Sequence, residues 1–288
     1  MAVPIDITDE CLAGLKDKVV IISGGSSGIG HATVSLLLEL GAKVVIGDRN
    51  PPPEEILNHE AVTFVKIDVT IWKELCALFK EAKDKHGRID HAFCNAGIAG
   101  VANYFDQSVD ADGDPVEPNH KTIEINLLAV VNMTKLAIWY MSKQETGGSI
   151  VLTASASSFQ RLSIVDYTVA KHGVLGLMRG MVPLLHPTVP IRINSLAPSW
   201  TETGIVNRLV LESVGAQVQG PEAVARSAAL VMADETRHGN MIYSIDGKFT
   251  EIDQGMIAAY RSMVDGLKEE EAIKRLATMM RQKGTKDK

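Results

Sequence analysis

Short, nearly continuous apolar runs alternate along this chain with longer segments of helical periodicity. The apolar runs, rich in Val and Ile, lie at residues 19–22, 44–46, 62–67, 91–94, 149–152, 191–196 and 241–245. Helix-period segments lie between most of them, at residues 32–40, 72–86, 126–143, 169–186 and 221–233. Strands that are apolar on both faces and alternate with helices are typical of a parallel sheet covered on both sides. The pattern therefore predicts an α/β protein with a doubly wound parallel sheet, in which ligands bind at the carboxyl ends of the strands.

Two regions depart from this alternation: the Asp-, Gly- and Pro-rich segment 107–119 and the tail after Gly247. We interpret the first as a surface loop. No low-complexity linker divides the 288 residues, which favours a single domain. We expect that domain to span residues 1–250 and a C-terminal helical extension, with a charged helix over 267–282, to span residues 251–288.

Composition narrows the possible partners. The formal net charge of −6 provides no basic field for a polyanion, which argues against a nucleic-acid partner. The three cysteines lack C-x-x-C or metal-ligand spacing, so we expect reduced thiols and no metal site. The N-terminus does not resemble a signal peptide, and no apolar run reaches about 18 residues. These features predict a cytoplasmic protein without a membrane partner.

The segment SGGSSGIG at residues 23–30 follows the first apolar run and precedes a helical segment. Glycines allow a sharp bend and let a phosphate approach the backbone, and a helix N-terminus presents N–H groups to an anion. The spacing G-x-x-x-G-x-G is one residue longer than the common dinucleotide motif G-x-G-x-x-G. The segment therefore predicts a nucleotide-binding turn of a variant type that needs support elsewhere in the chain.

That support comes from the segment YTVAK, which places Tyr167 and Lys171 four residues apart and so on one face of a helix. A phenol with a pKa of about 10 is a poor base at neutral pH unless a nearby positive charge lowers that pKa. The Lys171 ammonium supplies such a charge. We therefore expect Tyr167 to act as a general acid/base.

In order and spacing, these two motifs resemble the hallmark pair of the short-chain dehydrogenase/reductase family, T-G-x-x-x-G-x-G and Y-x-x-x-K. The resemblance covers residues 18–247 and includes the N-A-G sequence at 95–97. It implies a Rossmann-type fold, a nicotinamide cofactor and hydride transfer between an alcohol and a ketone. The catalytic residues that it implies are Asn126, Ser155, Tyr167 and Lys171.

The resemblance also assigns roles to these residues. Ser155 donates a hydrogen bond to the substrate oxygen, Lys171 binds the nicotinamide ribose, and Asn126 bends its helix and holds a water that links Lys171 to solvent. The interval of twelve residues from Ser155 to Tyr167 is one shorter than the family pattern, and Ser157 and Ser158 lie close by. We prefer Ser155 to Ser157, because the preceding strand fixes its position while a deletion can fall in the following loop.

Asp48 ends the second apolar run, eighteen residues after Gly30. A carboxylate there accepts hydrogen bonds from the adenosine ribose hydroxyls and repels a 2′-phosphate, so the sequence predicts NAD rather than NADP. The neighbouring Arg49 argues the other way, since an Arg can accommodate a 2′-phosphate. Asp68 matches the acidic residue that binds the adenine amino group in the family. Its alternative role is to cap the helix that begins near residue 72.

Further cofactor contacts follow from the resemblance. Asn95 braces the sheet, and Pro198 and Thr203 match the family segment P-G-x-x-x-T, although Ser199 stands where the family has Gly. The complete set of expected cofactor-binding residues is Gly24, Ser26, Ser27, Gly28, Ile29, Gly30, Asp48, Asp68, Val69, Asn95, Ala96, Gly97, Tyr167, Lys171, Pro198, Thr201 and Thr203.

An apolar set at helical spacing follows Pro198, where the family places its substrate lid, here about residues 199–220. Its members are Trp200, Ile205, Val206, Leu209, Val210, Leu211, Val214 and Val218. These residues could instead belong to the core. The tail adds Ile252, Met256, Ile257, Tyr260 and Met263, then Met279 and Met280. Flexible methionines suit a bulky apolar shape, although Met also fills gaps in a core. We expect a terpenoid, steroid or polyketide-like secondary alcohol or ketone of secondary metabolism as substrate, with the tail forming part of the pocket or an adjoining subunit contact.

Two other activities remain open: epimerisation or dehydration by the same Tyr and Lys, and NAD binding by a scaffold without turnover. The complete catalytic set argues against the scaffold. Segments 126–143 and 169–185 carry apolar residues over more of their circumference than one sheet face requires. Because such helices pair across a two-fold axis in the family, we expect a homodimer or homotetramer.

Overall fold

One mixed sheet forms the centre of the computed structural model, which describes residues 2–204 and 208–263 together with residues 272, 275, 276 and 279. The strands in this part of the chain are β1 (Val3–Ile5), β2 (Val19–Ser23), β3 (Lys43–Asp48), β4 (Val62–Lys66), β5 (His91–Cys94), β6 (Gly148–Thr153), β7 (Ile191–Pro198), β8 (Met241–Ile245) and β9 (Lys248–Glu251). Their order in the sheet is β1-β9-β8-β7-β6-β5-β2-β3-β4. From β8 to β4 all neighbours are parallel, whereas β9 and β1 add two antiparallel strands at one edge.

Helices cover both faces of the sheet. They are α1 (Gly28–Glu39), α2 (Glu54–Leu57), α3 (Trp72–His86), α4 (Lys121–Ile123), α5 (Ala129–Met141), α6 (Val165–Met181), α7 (Arg208–Ser213), α8 (Pro221–Ala233) and α9 (Asp253–Met263). A π-helical turn, Glu124–Leu128, joins α4 to α5 in one continuous helix. This helix is long and apolar enough to cross a membrane, but half of its most apolar window is buried inside the protein, as in a core helix.

The continuous apolar runs arise because alternate residues of each strand enter different cores. In β2, Val20 and Ile22 pack with α1 and α8 on one face, whereas Ile21 packs with α3, α5 and α6 on the other. All three side chains are fully buried. A strand enclosed in this way has no polar face, which is why the sequence reads as unbroken Val and Ile.

The chain reverses direction across the sheet between β2 and β5. From β2 it winds outward through β3 to β4, and then returns to β5 on the other side of β2. The connections therefore diverge at the carboxyl ends of β2 and β5 and leave a crevice there, as in other doubly wound sheets. The predicted Rossmann-type α/β fold is confirmed.

Several details differ from the sequence prediction. Strands β1 and β9 were not predicted, because they are short and partly exposed and so lack a continuous apolar run. The helix expected from residue 169 begins at Val165, and the helix expected from residue 126 begins at Lys121. Segment 107–119 is exposed throughout, in agreement with a surface loop.

The tail begins by packing against the main domain. Met256 of α9 and the preceding Ile252 pack against the core cluster, and the Arg179 guanidinium lies 2.7 Å from an Asp253 carboxylate oxygen. The expected helix over 267–282, including Met280, lies outside the described residues except for residues 272, 275, 276 and 279.

Candidate active site

A cavity of about 700 Å³ opens at the carboxyl ends of the central parallel strands, and we call it the cleft. It is lined by residues of the glycine-rich turn, by the ends of β3 to β7, by residues of segments 96–100, 160–164 and 198–204, and by Tyr167 and Lys171 of α6. The lining includes residues at the start of α1 and at the end of β3, and it also includes Tyr167. The site predicted from the two motifs therefore occupies a single crevice, although the motifs are well over one hundred residues apart in the chain.

The glycine-rich turn joins β2 to α1 in a tight arrangement. A Cβ atom on Gly30 would lie 1.9 Å from the Gly24 carbonyl oxygen, so only glycine fits there. The Asn95 amide donates to that same carbonyl at 3.0 Å, which gives Asn95 the bracing role expected of it. Ser27, the residue before α1, makes no side-chain hydrogen bond to the helix. The first N–H groups of α1 therefore lack a side-chain cap beside the cleft.

Asp48 lies at the end of β3, where it lines the cleft next to Arg49. One of its carboxylate oxygens accepts from the Ser26 N–H and the other from the Asn50 N–H, each at 3.1 Å. Each oxygen keeps further acceptor capacity, since an ionised carboxylate offers about four lone-pair sites. Asp48 thus braces the glycine-rich turn and also presents negative charge to the cleft.

Asp68 and Val69 line the cleft at the end of β4. An Asp68 carboxylate oxygen accepts from the Thr70 hydroxyl at 2.7 Å and from the Thr70 N–H at 2.9 Å, and these bonds hold the pKa of Asp68 below its usual value. The residue that precedes α3 is Ile71, so Asp68 forms a turn before the helix rather than capping it.

Ser155 ends the segment after β6 and begins a short 3-10 turn, Ala156–Ser158. It lines the cleft, and its hydroxyl oxygen accepts from the Ser157 N–H at 3.2 Å. The Ser157 hydroxyl is fully buried, is absent from the cleft lining, and has no hydrogen-bond partner within the described part of the chain. Ser158 donates to the Lys171 carbonyl oxygen at 2.7 Å. The geometry therefore supports Ser155 over Ser157.

Tyr167 and Lys171 lie one turn apart on α6, with the Lys171 Nζ 5.6 Å from the centre of the Tyr167 ring. The ammonium donates to the Thr153 carbonyl oxygen at 2.7 Å. Burial lowers the pKa of Lys171 to about 8. Burial also raises the pKa of Tyr167, and a hydrogen bond with Ser155 opposes that rise only in part. In the protein alone, the pKa of Tyr167 is therefore raised by burial rather than lowered as the sequence predicted.

Asn126 lies within the π-helical turn and is fully buried. Its side-chain oxygen accepts from the Ile98 N–H and its side-chain nitrogen donates to the Ile98 carbonyl oxygen, each at 2.8 Å. Asn126 is not part of the cleft lining. Through its side chain it holds the backbone that follows β5, and that backbone lines the cleft.

The segment after β7 brings Pro198, Thr201 and Thr203 to the cleft, as expected. Ser199, which replaces the family's Gly, also lines the cleft, and its N–H donates to the Ser244 carbonyl oxygen at 2.8 Å. The backbone at Ser199 is thus hydrogen-bonded to β8, although the residue differs from the Gly of the family pattern. Of the residues expected to bind the cofactor, Ser26 and Gly30 do not line the cleft.

The two ends of the cleft differ in chemistry. The charged residues of its lining are Asp48, Arg49, Asp68 and Lys171. The lining residues Ile98, Ala99, Gly100, Ile125, Gln160, Leu162, Ile164 and Trp200 carry no charge, and we call them the apolar half of the cleft. Its larger side chains are Ile98, Ile125, Leu162, Ile164, Trp200 and the polar Gln160. The residues of segments 98–100 and 160–164 that line the cleft could not be predicted from the sequence, because these irregular segments have no periodicity.

Within the described residues, the lid region contributes to the cleft lining only up to Gly204, and the tail contributes no residue. Leu209 and Val214 of the lid region are 76% and 75% exposed, so they are not core residues; Ile205 and Val206 lie outside the described residues. No described residue beyond Gly204 lines the cleft. No residue of α9 lines the cleft, and its Met256 packs against the core instead. A role of the tail in an adjoining subunit contact stays a prediction.

Asp166, directly before Tyr167, was not identified from the sequence. It is buried and accepts hydrogen bonds from the N–H groups of Val101, Ala102 and Tyr167. Burial by itself raises the pKa of this carboxyl, but hydrogen bonds from Thr122 and these backbone groups hold its pKa below the usual value. An acidic residue in the first turn of a helix is common, and only its burial distinguishes this one.

Comparison with known proteins agrees with this geometry. The family model described as short chain dehydrogenase matches residues 18–213. The chain is 44% identical over 285 residues to the short-chain dehydrogenase/reductase ascJ of Acremonium egyptiacum, with 96% of each protein covered. It is 31% identical over 256 residues to (+)-borneol dehydrogenase 1 of Salvia officinalis, covering 83% of this chain and 96% of that protein.

A solved structure with the same fold is the 3-ketoacyl-(acyl-carrier-protein) reductase of Brucella melitensis, complexed with NADH. Its TM-score is 0.71 at 23% sequence identity, with 81% of this chain and 99% of that chain covered. Identity at that level supports a common fold.

Proposed function

The chain belongs to the short-chain dehydrogenase family and is an oxidoreductase that acts on a CH–OH group; from this premise we propose that it interconverts a bulky, apolar secondary alcohol and its ketone with NAD(H). The observation that carries this proposal is the apolar half of the cleft, which adjoins Tyr167 and has no charged side chain in its described lining. An apolar pocket with a few polar groups at one point is suited to an apolar ligand that reacts at a single oxygen.

The polar end of the cleft fits a dinucleotide. Gly24 and Gly28 line the cleft and present bare backbone beside the uncapped start of α1, which suits a pyrophosphate. The carboxylates of Asp48 and Asp68 at the ends of β3 and β4 suit the ribose and adenine groups. When bound, the cofactor accepts or supplies the hydride, and its oxidised ring adds positive charge near the phenol.

Tyr167, Ser155 and Lys171 account for the proton chemistry. The Ser155 hydroxyl donates a hydrogen bond to the substrate oxygen and holds it beside Tyr167. During reduction the Tyr167 phenol gives its proton to that oxygen, and during oxidation it takes the proton back. With a pKa of about 8, Lys171 is mainly protonated at neutral pH, and its charge favours the phenolate. Because burial works against the phenolate, the positive charges near it are essential.

Asp48 supports a preference for NAD over NADP. Its carboxylate lines the cleft at the end of β3, where a 2′-phosphate would meet a like charge. Arg49 also lines the cleft and opposes that effect. We infer that Asp48 dominates, since its hydrogen bonds with Ser26 and Asn50 hold it in place, whereas no hydrogen bond to the Arg49 side chain occurs within the described residues.

The substrate class follows from the size and composition of the apolar half. Ile98, Leu162, Ile164 and Trp200 offer extended apolar contact. The Salvia relative is named for borneol, a compact terpenoid alcohol. Both considerations support a terpenoid, steroid or polyketide-like metabolite over a sugar or a short polar acid, which would need charged or multiple polar partners.

We further propose a homodimer or homotetramer in the cytoplasm. On α5, Trp139 and Val131 are exposed although both are apolar. Other apolar residues of the two segments expected to form the interface, including Val130, Leu136, Leu175 and Met178, are buried in the core of one protomer and cannot contribute. The proposed contact therefore rests on the outward-facing residues of α5 and α6.

The test is a panel of alcohols followed by NADH absorbance. Bornyl, steroid and polyketide-like secondary alcohols represent the proposed class, and sorbitol and lactate represent polar alternatives. We expect NAD-dependent turnover of at least one bulky alcohol with a higher kcat/KM than that of either polar compound. Turnover of the polar compounds alone would contradict the proposed substrate class, and NADH binding without turnover of any compound would favour a scaffold.

A further inference from the structure

Residues 98–102 follow β5 and have no regular secondary structure, and we call this segment the cleft wall. Ile98, Ala99 and Gly100 line the apolar half of the cleft. An irregular segment at a buried edge must satisfy its backbone groups through other parts of the protein. In the cleft wall, three buried side chains provide these partners: Thr122, Asn126 and Asp166.

Each of the three side chains binds different backbone groups of the cleft wall. Asn126 binds both backbone groups of Ile98. The Thr122 hydroxyl lies 3.3 Å from the Ala99 carbonyl oxygen and also within hydrogen-bond reach of Asp166, and it donates its single proton to one of these two acceptors at a time. One Asp166 carboxylate oxygen accepts from Val101 N–H at 2.8 Å and from Ala102 N–H at 3.0 Å. The position of the cleft wall is therefore set by side chains of the helices packed against it.

Asp166 differs from the other two because it also binds the catalytic helix at the reacting residue. Its second carboxylate oxygen accepts from the Tyr167 N–H at 2.9 Å. The residue is 1% exposed, so water does not compete for these bonds. A single carboxylate thus joins the cleft wall to the backbone of Tyr167, with hydrogen bonds of the stronger, charge-assisted kind.

The packing around Gly100 shows how closely the wall approaches this carboxylate. A Cβ atom on Gly100 would lie 2.5 Å from the same Asp166 oxygen that binds Tyr167, and 2.2 Å from the Ile164 Cγ2. Ile164 itself lines the apolar half. A displacement of Asp166 therefore changes the relative positions of two faces of the pocket, the cleft wall and segment 160–164.

We propose that Asp166 is a positioning residue that fixes the cleft wall relative to Tyr167 and so determines how a bulky substrate fits beside the reacting phenol. The kinetic part of this inference rests on the proposed function. Asp166 does not touch the substrate, since it is absent from the cleft lining. It acts through the three backbone N–H groups that it holds, and only a residue with acceptors at both ends can hold them all.

The decisive variant is Asp166→Asn, which keeps the shape of the side chain but replaces one acceptor with a donor. Asp106→Asn is a matched control, because Asp106 lies just beyond the cleft wall and accepts from the Ser108 N–H in an exposed turn. Thr122→Val removes the hydroxyl next to Asp166 with little change of shape, and Thr122→Ser restores a hydroxyl. These milder variants cover the case in which Asp166→Asn fails to fold.

Each variant is measured in three ways. Amide hydrogen exchange reports on residues 98–102, NADH fluorescence gives the cofactor Kd, and steady-state kinetics compare a bulky ketone such as camphor with the small ketone acetone. For Asp166→Asn we expect faster exchange in the cleft wall and a loss of kcat/KM of about ten- to one hundredfold with camphor, but a smaller loss with acetone. We expect an NADH Kd within about twofold of wild type, because the polar end of the cleft is untouched.

Thr122→Val should show the same changes in amide exchange and in kcat/KM, but of smaller magnitude. Thr122→Ser should return both to values close to wild type. Asp166→Asn with wild-type exchange in the cleft wall, or with equal losses for camphor and acetone, would overturn the inference. If the wild-type protein reduces neither ketone, the proposed function is at fault, and the exchange measurement still decides whether Asp166 holds the wall.

Discussion

At the scale of single residues, the site combines groups whose burial opposes the ionisation that catalysis needs. Lys171 must carry a charge in a buried position, and its pKa falls to about 8 for that reason. Tyr167 must lose a proton where burial raises its pKa. The buried Lys171 ammonium therefore reduces the stability of the cofactor-free protein at neutral pH, as is common for groups placed for catalysis. The Tyr167 phenol is neutral there in both the folded and the unfolded chain, so its raised pKa carries no such cost.

The Lys171→Met variant should be inactive yet more stable than wild type at pH 7. The unfolded chain binds more protons than the folded chain between the folded pKa of about 8 and the ordinary value of 10.5. The cost of burying the ammonium is thus fully present below about pH 8, and the wild type gains stability as pH rises through this window. The shift corresponds to about 3 kcal/mol, offset by about 1 kcal/mol for the donor lost at Thr153.

Urea unfolding at about pH 7 and about pH 9.5 measures this effect, with the exposed Lys135→Met as control. The advantage of Lys171→Met should shrink at the higher pH, whereas Lys135→Met should differ little from wild type at either. A Lys171→Met protein less stable than wild type at both pH values would show that the Thr153 contact outweighs the buried charge.

The proposed preference for NAD depends on Asp48. The Asp48→Asn variant keeps an oxygen that can accept from Ser26 or Asn50 but removes the charge that repels a 2′-phosphate. We expect the ratio of kcat/KM for NAD to that for NADP to fall by about ten- to one hundredfold. Adding Arg49→Ala should recover part of the preference for NAD. A wild-type protein that already prefers NADP would assign control to Arg49.

How far the sequence predicts the site depends on whether a residue acts through its type or through its surroundings. Ser155, Tyr167 and Lys171 were found because their chemistry and spacing form a motif, and the structure brings all three to the cleft. Asp166 was missed because its role comes from burial between two segments that are distant in sequence. The hydrogen bonds between the Asn126 side chain and the Ile98 backbone could not be predicted from the sequence for the same reason.

At the scale of elements, the glycine-rich turn sets how closely α1 approaches the sheet. Gly30→Ala should lose measurable NADH binding and destabilise the protein by about 1–3 kcal/mol, because its Cβ would lie 1.9 Å from the Gly24 carbonyl oxygen. Gly176→Ala on α6 is the matched control. Nothing lies within 4 Å of its added Cβ, so it should be neutral or stabilising by about 0.5–1 kcal/mol.

NADH fluorescence titration and urea unfolding of both variants test this prediction. Normal NADH affinity in Gly30→Ala would mean that the turn can open without cost and that the close approach is not required.

The sequence predicted elements well wherever burial was two-sided. The parallel strands from β2 to β8 were all found, because enclosure on both faces leaves continuous apolar runs. Strands β1 and β9 form by pairing at an edge and carry no such signal. The start of the helix at Lys121 was also not predicted, because a π-helical turn breaks the regular periodicity near Asn126.

At the scale of the whole molecule, assembly depends on surfaces that a single protomer leaves exposed. Trp139 on α5 is 47% exposed, and Trp72 at the start of α3 is 45% exposed. If the proposed contact involves α5, Trp139→Glu should shift the protein toward a monomer in light scattering at micromolar concentration, whereas Trp72→Glu should not. A wild-type monomer, or a shift caused by Trp72→Glu alone, would contradict the proposed contact.

The most direct test of the account is the NAD-dependent oxidation of a bulky secondary alcohol such as borneol by wild type, Tyr167→Phe and Tyr140→Phe. Tyr140 stacks on Phe79, with ring centres 5.6 Å apart, away from the cleft lining, so it controls for the loss of a phenol. We predict that Tyr167→Phe lowers kcat by at least about one hundredfold with NADH affinity largely unchanged, and that Tyr140→Phe stays close to wild type. Turnover by Tyr167→Phe at the wild-type rate would contradict the account, because the proton would then have to travel through another group.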